Sequence, residues 1–223
     1  MLKKLHYTVP KDLLQEAEAL IPQAENRYVI NEPTGRFFYD PWKLTPEYQN
    51  TVWEKIMSTL PVPVGEARIM VLKPGTAYSS HADTDDRYHL NINGEACYLI
   101  DLDNNQMHKL EPDGIWYEMD AGRLHTASKF GRYYRVQLVI RKLLNDVILK
   151  DPVSIELSST GYSKEDARFL FDNTLNNWLN LANKKQVISD FKFSSNKVSF
   201  KLERSKVQEL QDRLVSGFQM EIV

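Results

Sequence analysis

Between Gly65 and Arg141 the chain is a series of short strand-like runs separated by strong turn signals, and few architectures accept such a pattern. Ala67–Leu72 closes at Lys73-Pro74-Gly75. Arg87–Ile92 ends at Asn93-Gly94, a dipeptide that tolerates the positive φ of tight hairpins. Ala96–Leu102 ends at Asp103-Asn104-Asn105. Met107–Leu110 runs into Pro112-Asp113-Gly114, Ile115–Met119 stops at the Ala121-Gly122 turn, and Tyr133–Arg141 is the last run. Strands of this length at roughly even spacing predict a mainly β fold, a sandwich or a barrel such as a jelly roll.

Two helical patterns precede the strands. Leu13, Leu14, Ala17, Leu20 and Ile21 share one face of a helix over Pro10–Ala24, stopped near Pro22. Thr45 and Pro46 suit the N-cap and first turn of a second, with Val52, Trp53, Ile56 and Leu60 as its apolar stripe. The aromatic stretch between them, Arg27–Trp42, reads as short strands and loops. After Asn145 the pattern changes. Strand-like Val153–Leu157, helical Ser163–Ala182, a hairpin of Val187–Phe193 with Val198–Leu202, helical Ser205–Val215 and strand-like Phe218–Val223 give the order βαββαβ. That order predicts a small α+β, ferredoxin-like accessory domain over 149–223, behind a jelly-roll domain over 1–148. No metal, phosphate or nucleophile motif occurs in the second part, and fold alone gives it no function.

Composition narrows the partners. The 223 residues carry a formal net charge of −2, so nothing draws the chain to nucleic acid or to an anionic membrane surface. The N-terminus has lysines but no apolar run of signal-peptide length, and no stretch reaches the roughly 18 apolar residues of a membrane span. A single cysteine, Cys97, rules out an intrachain disulfide. Its apolar neighbours make it a core thiol, and the expected compartment is the cytoplasm.

His81 and Asp83 are two residues apart, so on extended backbone an imidazole and a carboxylate share one face. A second imidazole beside them would complete the 2-His-1-carboxylate triad of non-haem iron(II) oxygenases. His125, in Asp120-Ala121-Gly122-Arg123-Leu124-His125, is the candidate. The bland reading of His81-Ala82-Asp83 is a surface turn capped by Asp83. An oxygenase that uses 2-oxoglutarate also needs a cation for the far carboxylate of that cosubstrate, and a planar arginine suits it best. Arg135 alternates with Gln137 and Val139 on one strand face, where burial would demand such a partner. The competing role for Arg135 is a surface salt bridge.

Residues 66–142 resemble the aspartyl/asparaginyl β-hydroxylase family of Fe(II)- and 2-oxoglutarate-dependent dioxygenases, and share part of their pattern with free-proline hydroxylases. The resemblance rests on Leu72-Lys73-Pro74-Gly75, His81-Ala82-Asp83, Arg87-Tyr88-His89-Leu90, Gly122-Arg123-Leu124-His125 and Arg135-Val136-Gln137-Leu138. It implies a double-stranded β-helix, that is, a jelly-roll, cupin-like barrel, with iron at His81 and His125, cosubstrate at Arg135, and Arg87 and His89 as further cosubstrate contacts. Asp83 is a departure from the animal aspartyl hydroxylases and moves the chain toward relatives with a full triad. The implied activity is hydroxylation, with O₂, of a C–H bond of a small-molecule or peptidyl amino acid. A binding or structural jelly roll without turnover, or a cupin-type metalloenzyme that does not use 2-oxoglutarate, are the alternatives. His89 alone reads equally well as a hydrogen-bonded core histidine.

Overall fold

The structure is a computed structural model that describes residues 2–22, 24–83, 85–145, 148–159, 175, 178–179, 182, 187–194, 197–214 and 218–223. It is mainly β, with two compact units. One comprises Met1–Ser80 and Asp85–Leu143, and the other comprises Leu144–Val223 with the segment His81–Thr84.

In the first unit the strands are β1 (Leu2–Thr8), β2 (Asn26–Val29), β3 (Asn31–Pro33), β4 (Trp42–Leu44), β5 (Val64–Leu72) and β6 (Thr76–Ala77). They continue with β7 (Arg87–Asn93), β8 (Cys97–Asp101), β9 (Gln106–Lys109), β10 (Ile115–Met119), β11 (His125–Lys129) and β12 (Arg135–Lys142). One sheet has the order β1-β10-β7-β12-β5-β2 and the other β6-β11-β8-β9. From β5 onward the chain passes back and forth between the two sheets, and every pair is antiparallel. This is the strand order of a jelly roll.

The larger sheet is two-faced in an unusual sense. Its outer face carries Ala67, Ile69, Val71, Tyr88, Leu90, Ile92, Val136, Leu138 and Ile140. These form one core with Leu14 and Ala17 of α1 (Lys11–Ala19) and Val52, Trp53 and Ile56 of α2 (Val52–Ser58). Each large side chain fully buried there stabilises by about 1.5–3 kcal/mol. Alternation then sends Arg87, His89, Asn91, Arg135, Gln137 and Arg141 to the other face, and all six are buried. That inner face meets the smaller sheet, where Met119 of β10 packs with Cys97, Leu99 and Ala127. The inner face of the larger sheet is therefore mostly polar; the larger hydrophobic core lies on its other side, under the helices, and a smaller apolar cluster lies against the second sheet.

Three local expectations change. The Thr45-Pro46 start makes only a 3-10 turn, Pro46–Tyr48, and Thr45 makes no side-chain capping bond. The α-helix begins later, at Val52, where Thr51 accepts a hydrogen bond from the Trp53 N–H (3.2 Å). The short stretch between Gly122 and Tyr133 contains a strand, β11, that the sequence pattern does not announce. So does the N-terminus: β1 pairs with β10 through an irregular register between Lys4 and Thr8, which breaks the alternation.

In the second unit, β13 (Pro152–Ser159), β14 (Ile188–Ser194), β15 (Lys197–Glu203) and β16 (Phe218–Ile222) form an antiparallel sheet of order β14-β15-β13-β16. A short helix, α3 (Val207–Arg213), precedes β16. The expected Ser163–Ala182 helix lies outside the described residues except for Leu175, Trp178, Leu179 and Ala182, which are buried. The Trp178 indole N–H donates to Glu209 Oε1 of α3 at 3.2 Å.

Candidate metal centre

His125 is the first residue of β11 and is set by its neighbours. It pairs with Asp101 of β8. The turn before it is pinned by Leu124 N–H to Asp103 Oδ2 and by Leu102 N–H to Leu124 O, both 2.9 Å. The His125 Nδ1 lies 2.7 Å from the carbonyl oxygen of Arg123. A carbonyl only accepts, so Nδ1 carries the proton, and Nε2 keeps its lone pair for a metal.

His81 and Asp83 reach the same place through β6. The β6–β11 ladder pairs Ala77 with Ser128. It extends by Tyr78 N–H to Ala127 O (3.0 Å) and by Thr126 Oγ1–H to Tyr78 O (2.6 Å). Three residues beyond Tyr78 the chain arrives at His81. Past the segment, Asp85 is almost fully buried and its carboxylate takes Arg87 on one oxygen and Arg141 Nη1 on the other, at 2.7 Å to Arg141. Tyr78 and Asp85 thus anchor the two flanks of the His81–Asp83 segment.

His81, Asp83 and His125 each offer one ligand atom, and these atoms lie within 4.8 Å of one another. His81 Nε2 and Asp83 Oδ2 are 3.9 Å apart. Ligand atoms about 2.1 Å from a shared ion sit roughly 3 Å apart. A modest inward movement of the three side chains therefore closes the set. Two imidazoles and one carboxylate on one side of an ion suit iron(II) and leave further positions open.

Along the polar inner face the other candidates take separate stations. Arg135 opens β12, is 3% exposed, and is held by one N–H bond to Gln137 Oε1. Its Nη1 has no hydrogen-bond partner among the described residues, nor has Gln137 Nε2. Burial pushes the guanidinium pKa down, with Cys97 and Tyr78 as the groups that oppose it. A buried cation with a spare N–H fits a ligand carboxylate. His89 follows on β7. Burial, and then the Arg135 charge, lower its pKa to about 3 against the opposing pull of a hydrogen bond with Gln137, so it is a neutral imidazole.

Arg87 is elsewhere. It pairs across the ladder with Arg141, six residues along β12 from Arg135. At strand rise that is about 20 Å from Arg135. Its guanidinium is joined to Asp85, and Arg141 also reaches Glu66 Oε2 (3.6 Å), which pairs with Arg68. Arg87, expected as a further cosubstrate contact, has its guanidinium on the carboxylate of Asp85, two residues away. Sequence reasoning missed Arg68, Arg141 and Asn91 on this face. Their signal was alternation with Arg135 and His89 on strands otherwise rich in β-branched residues.

No known family model and no curated protein matches the chain. Among solved structures it is similar to CapF, crystallised with the inhibitor 3-isopropenyl-tropolone. The identity is 14% over 37% of this chain and 25% of CapF, with a TM-score of 0.30. It is also similar to a Pseudomonas putida prolyl-4-hydroxylase, at 16% identity over 63% of this chain and 90% of that one, with a TM-score of 0.39. The chain spans a quarter of the length of CapF. Likenesses at this level carry no argument about activity, which the side chains must supply. No helix among the described residues is long and apolar enough to cross a membrane.

Proposed function

We propose that the chain is an Fe(II)- and 2-oxoglutarate-dependent dioxygenase that hydroxylates a C–H bond of a small-molecule or peptidyl amino acid. The observation that carries this is the pairing of the His81–Asp83–His125 cluster with the buried, partly unpartnered Arg135 in one barrel. Iron(II) with 2-oxoglutarate and O₂ supplies an oxidant strong enough for an unactivated C–H bond. The protein supplies position. His81, Asp83 and His125 hold the metal from one side. The Arg123 carbonyl fixes the His125 tautomer so that Nε2 faces the site. Arg135, braced by Gln137, takes the far carboxylate of 2-oxoglutarate in a fork that a lysine lacks. His89, neutral and within reach of the charges of both Arg135 and His125, donates an N–H to the same cosubstrate without adding a charge. Arg87 drops out of that role.

The finer reading is the aspartyl/asparaginyl β-hydroxylase family, or its full-triad prolyl relatives, in a cytoplasmic protein. We read residues 149–223 as a ferredoxin-like accessory domain, for which the antiparallel β14-β15-β13-β16 order and the helix before β16 are the support. The decisive experiment is anaerobic titration of metal-free protein with Fe(II) and then 2-oxoglutarate. A visible metal-to-ligand charge-transfer band is expected at one equivalent of each. Iron binding with no band on adding 2-oxoglutarate would leave a metal-binding barrel of another kind.

A further inference from the structure

The inner face of the larger sheet holds more positive charge than the proposed chemistry uses. Its described ionisable side chains include Arg68, Arg87, Arg135 and Arg141 against Glu66 and Asp85. A divalent metal, the Asp83 carboxylate, doubly charged 2-oxoglutarate and Arg135 together come to zero. What is left is Arg68, Arg87 and Arg141 against Glu66 and Asp85, a surplus of one cation even before Arg27, whose charge also reaches Glu66, is added. The surplus lies at the opposite end of β12 from Arg135.

The cluster is shaped as well as charged. Arg141 sits over two rings, 4.8 Å from the centroid of Phe37 and 4.7 Å from that of Phe38. Phe38 is buried and Phe37 is 42% exposed, so the stack leads from solvent to the cluster. The Nε of Arg68 and the Nε of Arg141 are both buried and have no hydrogen-bond partner among the described residues. The Arg141 side chain is only 9% exposed, and that of Arg68, at 24%, stays reachable. Both lean on Glu66, which has one carboxylate for two guanidinium groups.

We propose that Arg68 and Arg141 form a recognition site for a carboxylate of the substrate, so that this enzyme acts on a carboxylic acid and rejects the corresponding amide. The inference rests on the oxygenase reading above and adds the substrate's charge to it. Glu66 holds the two arginines in the empty site and yields to the incoming carboxylate. The carboxylate can belong to a free amino acid or to an acidic residue within a peptide, and the recognising chemistry is the same.

The test is calorimetric binding to anaerobic protein saturated with Fe(II) and 2-oxoglutarate. The probes are L-proline, L-aspartate and an end-blocked Gly-Asp-Gly peptide, each paired with its primary amide. At least one acid is expected to bind, about 10–100-fold more tightly than its amide, the scale of charge-assisted hydrogen bonds. A free acid responding means a small-molecule substrate, and the blocked peptide responding means a peptidyl one. Arg68→Gln should remove the preference for the acid and leave 2-oxoglutarate affinity unchanged. Glu66→Gln should tighten acid binding, a gain that a damaged fold cannot imitate. The proposal is overturned if no acid binds at about 10 mM, the edge of measurable affinity, if amides bind equally, or if Glu66→Gln weakens the acid. Failure of wild-type protein to bind 2-oxoglutarate at saturating metal would instead strike the oxygenase reading itself.

Discussion

Replacing Arg135 with methionine separates what the residue does for the ligand from what it does for the fold. The guanidinium is 3% exposed and has one side-chain partner, Gln137. A buried cation in that state costs several kcal/mol of desolvation, only partly repaid by one hydrogen bond. Methionine keeps the unbranched stem, removes the charge and leaves Gln137 Oε1 without its donor, which costs about 1–3 kcal/mol. The balance favours the variant by about 1 kcal/mol in ligand-free protein. For a chain of this size that raises Tm by about 2–4 °C. Binding moves the other way. Loss of a buried charged partner should weaken 2-oxoglutarate by about 2–4 kcal/mol, roughly 30–1000-fold. Wild type with 2-oxoglutarate at a hundred times Kd should gain about 2.7 kcal/mol of stability, and the variant at the same concentration less than about 0.9 kcal/mol. Thermal unfolding with and without 2-oxoglutarate, at saturating metal, reads both effects. Equal 2-oxoglutarate affinity in the two proteins would refute the assignment of Arg135.

His125→Ala and His81→Ala should each lower metal affinity by more than about a hundredfold, since even groups behind a ligand are worth 10–100-fold; metal content after dialysis measures it. His89 has a folded pKa of about 3, below its unfolded value of about 6.5, so the unfolded chain takes up a proton first as pH falls. Its contribution is fully present above pH 6.5 and is lost toward pH 3, at about 1.4 kcal/mol per unit at most. His89→Leu should flatten urea-unfolding stability across that window, and an unchanged slope would contradict the burial of His89. Thr59→Val strands the fully buried Trp116 indole N–H, which now donates to Thr59 Oγ1 at 2.9 Å, and should cost about 1–3 kcal/mol in urea unfolding. Gly94→Ala should lower both stability and 2-oxoglutarate affinity. Gly94 has φ +127°, and a Cβ there would lie 2.6 Å from Cys97 Sγ and 3.1 Å from the Arg135 Cα.

The strand series was readable because its turn residues are chemically loud: Pro74-Gly75 and Pro112-Asp113-Gly114 fall between observed strands, and Asn93-Gly94 ends one. Strand β11 was silent because Thr126, Ser128 and Lys129 give it no hydrophobic alternation. Its lysine is fully buried nonetheless, satisfied by the Glu95 carbonyl, a contact no local pattern could reveal. The convergence of His81 and Asp83 with His125 was inferred from residue type and spacing, and the geometry brings the three together. The fate of Arg87 was not legible. Whether an arginine serves a ligand or a neighbouring carboxylate depends on which oxygen reaches it, and Asp85 does. The aromatic roof over Arg141 was likewise hidden, since Phe37 and Phe38 are about a hundred residues away in sequence.

Because the larger core of the first unit sits between the sheet and α1 and α2, the inward face of that sheet carries little of the task of holding the protein together. Side chains there can be exchanged with small changes in folding, so the lineage could retune what the pocket accepts without first acquiring stabilising substitutions. The same division makes the N-terminal helices indispensable: a version of the barrel trimmed to the strands alone would present its most apolar face to water and aggregate. A laboratory programme to change specificity should therefore leave residues 11–58 intact and randomise the inward positions of β5, β7 and β12.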